Sequence, residues 1–262
     1  MSQPRGAPMT LSGRQVLITG ANRGLGASFV EAALARQASA VYAAARDPAL
    51  LPRFSDPARV VPVRLDVTDQ QEVSAAGLER TDVDLLISNA GVTCHGPVLG
   101  GDDEARLREV LEVNFFGPLR LVRSFWPALR SPGAGVIFVL TVGAVALSRS
   151  SPVYSASKAA CLMLALAVRE ELRDAGATVT VVLPGFIDTE MAANFDRPKA
   201  SPMQVAERSL DGWLAGHGTV WPDRFAELVR DAIGKPYEQL LDEPRKIMTE
   251  VQAAYMDQAP DG

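Results

Sequence analysis

Tyr154 and Lys158, in Tyr154-Ser155-Ala156-Ser157-Lys158, stand four residues apart in this 262-residue chain. On a helix that spacing places the phenol and the ammonium on one face. A buried ammonium beside a phenol stabilises the phenolate, so a group whose ordinary pKa is about 10 can exchange protons closer to neutrality. Of the four tyrosines, only this one has a lysine at that spacing. The spacing alone arises easily by chance and gains weight from a second feature upstream. Gly20, Gly24 and Gly26 punctuate Thr19-Gly20-Ala21-Asn22-Arg23-Gly24-Leu25-Gly26, just after an apolar run and just before a helical one. Glycines there permit a tight turn and a close approach of backbone to a pyrophosphate, and a helix N-terminus favours negative charge. Taken by itself, the loop also reads as an ordinary glycine turn.

The elements that must position these groups follow from hydrophobic patterning. Short apolar runs at Gln15–Thr19, Ala40–Ala45, Val60–Leu65, Asp84–Ser88, Val136–Leu140 and Thr178–Leu183 read as buried strands, with Thr219–Trp221 as at most a short last one. Ala27–Arg36, Glu104–Leu129, Val153–Asp174 and Pro202–Ala215 carry helical periodicity, and Ala192–Ser201 reads as a mobile loop. Alternation of near-continuous apolar strands with helices predicts an α/β fold: a single doubly wound, Rossmann-like parallel sheet with helices on both faces. The expected organisation is a flexible tail over 1–12, one dinucleotide-binding catalytic unit over 13–234 and a polar extension over 235–262.

Hydrophobic residues make up 47% of the chain, enough for a core covered on both sides of a sheet. A net charge of −5 argues against nucleic acid or an anionic membrane as partner. Cys94 and Cys161 have no metal-ligand or CxxC spacing, so reduced thiols and no metal site are expected. Met1–Thr10 lacks the apolar core of a signal peptide, and the apolar run Cys161–Val168 is too short to span a bilayer. A cytoplasmic protein is expected.

The glycine loop, Asn89-Ala90-Gly91, Asn114 and the Tyr154/Lys158 pair together resemble the classical short-chain dehydrogenases/reductases, from about Gly13 to about Met191. The resemblance implies that the loop, with Asn22, Arg23 and Leu25 beside its glycines, binds a dinucleotide. It implies an adenine contact at Asp66 and Val67, and contacts to ribose and nicotinamide at Asn89, Ala90 and Gly91, where most relatives have a second asparagine in place of Ser88. In Pro184-Gly185-Phe186-Ile187-Asp188-Thr189, Pro184 and Gly185 lead into Ile187, whose backbone, with the Thr189 hydroxyl, holds the carboxamide. Tyr154 is implied as the proton donor, Lys158 as the residue that lowers its pKa and binds the nicotinamide ribose, and Asn114 as the residue that kinks its helix and holds a relay water. The family usually has a serine thirteen residues before the tyrosine, and here that position is Thr141. Its hydroxyl can bond a substrate carbonyl while its methyl narrows the pocket. Retained activity and a weakened or repurposed site are both open readings.

Cofactor choice is read at the end of the second strand, where NAD-preferring relatives carry an acidic residue. Here the matching residue is Ala45, followed by Arg46; Arg46, with Arg23, suits a 2′-phosphate, so NADP(H) is the expected cofactor. NAD(H) is not excluded, because a one-residue shift would present Asp47. His95 is a possible substrate contact, with a merely structural or exposed role as the alternative, and Phe186, Phe195 and Met191 suggest an apolar pocket or simply pack. The resulting expectation is an NADP(H)-dependent oxidoreductase that interconverts a ketone or aldehyde, a small molecule, with its alcohol. A lyase or epimerase on the same scaffold, or an NADP(H)-sensing binding protein, are the rival readings. By resemblance, a homodimer or higher homo-oligomer forms through the helices that begin near Glu104 and Val153.

Overall fold

The computed structural model describes residues 9–99, 104–233 and 251–256. Seven strands form one sheet: β1 (Gln15–Thr19), β2 (Ala40–Ala45), β3 (Val60–Arg64), β4 (Leu85–Ser88), β5 (Gly135–Val139), β6 (Thr178–Val182) and β7 (Thr219–Val220). Their order is β3-β2-β1-β4-β5-β6-β7 and every pairing is parallel. Strand order reverses between β1 and β4, so the loops after these two strands flank the crevice in which such sheets bind ligands.

Side chains alternate between two cores, as the period of a strand requires. Val16, Ile18, Ile137 and Val139 face one, with α1 (Gly24–Ala35) and α7 (Pro202–Leu214) packed over them. Leu17, Val136 and Phe138 face the other, beneath α2 (Gln70–Glu79), α4 (Gly117–Ser124), α6 (Pro152–Leu172) and α8 (Arg224–Ile233). The doubly wound sheet expected from patterning is the fold observed.

The stretch expected as one helix from Glu104 to Leu129 is broken into α3 (Glu104–Leu111), a π-turn over Glu112–Phe116, α4 and α5 (Trp126–Leu129). Pro118 explains the first break: it lacks an N–H, and its ring crowds the carbonyl four residues back, at Asn114. Widening to a π-turn relieves that crowding and re-aims the Asn114 side chain.

Residues 9–12, expected to belong to a loose tail, are instead fastened: Leu11 is buried in the core, and the Arg14 side chain donates to Thr10 O at 2.7 Å. The rest of that expected tail, 1–8, lies outside the described residues, as does most of the expected extension. Its described part, 251–256, is helical; Val251 is buried and the Tyr255 ring packs on Phe225 with centroids 5.3 Å apart. The expected mobile loop 192–201 is pinned at its end, where Ala200 N donates to Phe186 O at 2.8 Å and Asp188 N to Ala200 O at 2.9 Å. Among the described residues no helix is long and apolar enough to cross a membrane.

Candidate active site

The glycine loop joins β1 to α1 at the strand-order reversal. Gly20 and Gly24 have φ of +67° and +53°, a region that favours glycine. A Cβ on Gly26 would lie 1.9 Å from Gly20 O, so the turn closes only around a bare backbone there. Asn89 holds the loop from β4: its Nδ2 donates to Thr19 O at 2.9 Å, and its backbone N, like that of Ala90, donates to the Thr19 hydroxyl. Arg23 at the N-cap supplies no side-chain acceptor, and the first turn of α1 contains no acidic residue. The orphan N–H groups of that turn and the helix dipole are therefore free to meet an anion, which fits a pyrophosphate. Leu25 falls in this first turn, and Asn22 in the loop just before α1.

Ala45 is the last residue of β2, in register with Arg64 of β3. Arg46 follows, exposed, and with Arg64, Asp66 and Thr68 lines a surface cavity of about 610 Å³. Arg64 is already paired with Glu72 at 2.9 Å, whereas among the described residues no carboxylate lies within ion-pairing distance of Arg46. Asp47, the competing ribose ligand, turns its carboxylate onto Ala49 N at 3.0 Å and caps the next turn. Arg23 reaches across the cleft to Glu190 at 2.7 Å, an exposed pair that contributes little and opens readily. The Asp66 carboxylate accepts from Thr68 N and its hydroxyl, and Val67, which follows, is buried against α4.

The segment after β6 closes the crevice from the other side. The buried Asp223 carboxylate accepts from Gly185 N at 2.8 Å and from Ala226 N at 2.9 Å, fixing Pro184-Gly185 to the start of α8. Burial pushes the pKa of that carboxyl up, against the pull of these hydrogen bonds. Thr189 Oγ1 donates to Ile187 O at 3.4 Å, and its methyl lies against Gly24. Asp223 is a positioning residue that the sequence reading missed, since a lone aspartate near the chain's less regular end carries no motif.

Tyr154 and Lys158 lie in the first two turns of α6. Lys158 is buried and donates from Nζ to Val139 O at 3.0 Å; burial lowers its pKa. Its Nζ is 5.9 Å from the centroid of the Tyr154 ring. Burial pushes the Tyr154 phenol up to about 12, although part of the side chain stays open to the cleft. The expected depression of the phenol by Lys158 is thus not present in this arrangement. The ammonium is spent on a backbone carbonyl, and desolvation outweighs its field. A phenol held neutral is a proton donor.

Asn114 is fully buried in the π-turn. Its Oδ1 accepts from Val92 N at 3.0 Å, and its Nδ2 donates to Val92 O at 2.8 Å and to Ser157 Oγ at 3.0 Å. Ser157 Oγ in turn donates to Tyr154 O at 2.7 Å. A Cβ on Gly91 would sit 3.2 Å from Asn114 Oδ1 and 3.3 Å from Lys158 Nζ, so a larger residue there would press on both side chains. One lone pair of Oδ1 remains available to a further donor.

Thr141 begins the turn after β5. Its hydroxyl accepts from Gly143 N at 3.2 Å and donates to Pro184 O at 3.3 Å. The second bond is long, so the hydrogen can be redirected to a better acceptor. His95 is exposed, with Nδ1 2.7 Å from the hydroxyl of Ser151, the residue that precedes α6, and its ring packs edge-on against Phe195. Phe186 packs on Phe195 and on Phe225. The apolar pocket expected from Phe186 and Phe195 is therefore a continuous aromatic wall, whereas Met191 is an exposed side chain.

Comparison with known proteins gives the same picture. The family described as short chain dehydrogenase matches residues 14–200. A 1-deoxy-11-beta-hydroxypentalenate dehydrogenase from Streptomyces exfoliatus is 33% identical over 240 residues, 86% of this chain and 82% of that protein. A short chain dehydrogenase from Burkholderia cenocepacia, crystallised in complex with NADP, is 37% identical with a TM-score of 0.84 over 90% of this chain and 99% of that one. A relative from Burkholderia phymatum in complex with NAD superposes with a TM-score of 0.73 at 24% identity, over 86% and 96% of the two chains, which speaks to the fold alone.

Proposed function

The chain belongs to the short-chain dehydrogenase/reductase family and is an NAD(P)-dependent oxidoreductase, and from that premise we propose that it interconverts a ketone or aldehyde with its alcohol, using NADP(H), with Tyr154 as the general acid and base. The observation that carries this reading is the neutral, partly accessible Tyr154 phenol one helical turn from the buried Lys158, beside a glycine loop whose helix dipole awaits an anion.

The nicotinamide, when bound, supplies or accepts the hydride. Asn22, Leu25 and the glycine loop hold the pyrophosphate; Asp66 and Val67 border the adenine, and Asn89 with Ala90 keeps the loop open to the ribose. Ile187 and Thr189 orient the carboxamide from a segment anchored through Asp223. Thr141 donates a hydrogen bond to the substrate oxygen, and Tyr154 delivers a proton to the same atom as it gains charge. General acid catalysis of this kind contributes about 10²–10⁴-fold. Lys158 is the cation placed to return a proton to the phenol, and Asn114 with Ser157 fixes the turn of α6 that carries both residues.

Support for NADP(H) over NAD(H) comes from Ala45 at the end of β2, an Arg46 without an acidic partner among the described residues and an Asp47 whose carboxylate is committed elsewhere. Calorimetric titration of both reduced cofactors tests this. NADPH should bind more tightly, and Arg46→Ala should weaken NADPH by about 1.5–3 kcal/mol while leaving NADH nearly unchanged. Equal or tighter NADH binding by the wild type defeats the assignment. Failure of any carbonyl or alcohol to change the redox state of either cofactor defeats the redox reading itself and favours a lyase, an epimerase or a sensor.

A further inference from the structure

We propose that Arg197, mounted on the aromatic wall of the substrate cleft, binds the carboxylate of an acidic carbonyl substrate, so that this enzyme acts on oxo acids or their hydroxy counterparts. The inference rests on the carbonyl–alcohol reading above and names the substrate class for that same site.

Arg197 Cζ stacks 4.4 Å over the Phe186 ring and 5.5 Å from the centroid of Phe195. Stacked in this way a guanidinium keeps its charge and its in-plane donors, because the ring faces satisfy neither. Its Nε is shut away from solvent and has no hydrogen-bond partner, while the side chain as a whole remains partly exposed. Among the described residues no carboxylate lies within ion-pairing distance of it. Arg36, Arg59, Arg106, Arg108 and Arg173 each hold an acidic neighbour, whereas Arg197, like Arg46, holds none among the described residues; what sets Arg197 apart is that it also stacks on Phe186 with a buried Nε that has no partner. A buried, unpartnered Nε on an apolar wall leaves a donor that an anion can satisfy, in surroundings where the attraction is screened less than at an open surface.

Two connections tie that wall to the reacting atoms. Phe186 follows Pro184-Gly185, and the Pro184 carbonyl is the acceptor of the Thr141 hydroxyl. Phe195 contacts His95, whose Nδ1 meets Ser151, three residues before Tyr154. In the proposed binding mode the substrate carbonyl meets Thr141 and Tyr154, its chain runs along Phe186 and Phe195, and its acidic end meets Arg197. If Ser151 donates to Nδ1, His95 carries its hydrogen on Nε2, at the rim of the same cleft. The apolar rings then favour a hydrocarbon spacer between the two polar ends.

The test compares straight-chain oxo acids of about four to ten carbons with their methyl esters, in NADPH oxidation by wild type, Arg197→Met and Arg197→Lys. At least one acid should exceed its ester by about 10-fold or more in kcat/KM. Arg197→Met, which keeps the packing, should cost the acids about 10–100-fold, chiefly in KM, and leave the esters within about 3-fold; Arg197→Lys should fall between. Esters turned over as well as acids, or a loss in Arg197→Met shared equally by both, would overturn the proposal and leave the oxidoreductase reading standing. If no carbonyl or alcohol is turned over, that reading fails, and binding decides the inference separately. With NADP⁺ present, octanoate should raise the melting temperature of the wild type but not of Arg197→Met. Equal stabilisation by octanamide, or none by octanoate, refutes the anion site.

Discussion

Removing the Thr141 hydroxyl separates catalysis from architecture. The side chain makes two backbone bonds, one from Gly143 N at 3.2 Å and one to Pro184 O at 3.3 Å. Thr141→Val keeps the shape and deletes both, leaving the amide of the buried Gly143 without its acceptor. An orphaned buried donor costs about 1–3 kcal/mol, so the variant should lose about that much stability in chemical denaturation. Thr141→Ser keeps both bonds and gives up only a methyl that lies near Gly143, so its stability should change by less than about 1 kcal/mol. If the hydroxyl also turns to the substrate carbonyl, Thr141→Val loses a hydrogen bond that strengthens as charge develops on oxygen. Its kcat/KM should fall by about 10–1000-fold, about 1.4–4 kcal/mol of transition-state stabilisation. Thr141→Ser should match or exceed the wild type. The assay is steady-state NADPH oxidation well below the denaturation midpoint, with cofactor affinity measured in parallel. Wild-type turnover by a destabilised Thr141→Val would make Thr141 a turn residue only. A fall in cofactor affinity matching the fall in kcat/KM would instead trace the loss to a displaced Pro184 segment.

Titration of the cofactor-free protein checks the Tyr154 phenol directly. Burial raises its pKa to about 12, so the neutral form persists as pH rises, and the ultraviolet difference between wild type and Tyr154→Phe should show no phenolate below about pH 10. A Tyr154-specific phenolate signal at about pH 8 would mean that the Lys158 field prevails over desolvation after all. Assembly is testable by light scattering at micromolar concentration, where a homodimer is expected; Leu111, Phe116 and Met163 are exposed apolar side chains on the helices expected to form its interface. Met163→Asp should shift the mass toward monomer, and a wild type already monomeric contradicts the assembly.

The sheet was legible because parallel strands covered on both faces must be continuously apolar, and the runs from Gln15 to Leu183 have that character. Two helices were not. α2 buries little beyond Val73, Ala76 and Gly77, so its periodicity is faint, although Asp69 and Glu72 carry a start signal: the Asp69 carboxylate accepts from Gln71 N and Glu72 N. α8 follows Met191, where the pattern loosens, yet it carries Phe225 into the core. The π-turn at Glu112–Phe116 was implied by resemblance as a kink at Asn114, while its cause, Pro118, stood unused in the sequence.

In the site, residue identities were legible and partnerships were not. Thr141, Asn114 and Lys158 were named from motif and resemblance, and each is tied to backbone atoms distant in sequence: Pro184 O, the Val92 amide and carbonyl, and Val139 O. Only folding creates those acceptors. The same limit explains the misread direction of the Tyr154 pKa. A lysine four residues away is visible as a letter, and its field is easily counted; the apolar surroundings that remove water from the phenol belong to no single residue. Charges are therefore overweighted when a site is read from sequence, and desolvation is underweighted. Arg197 shows the converse: it looks like any surface cation in the chain, and only its stacking on Phe186 together with its buried, unpartnered Nε distinguishes it. Where packing rather than charge sets the energy of a group, its role becomes readable only once its neighbours are known.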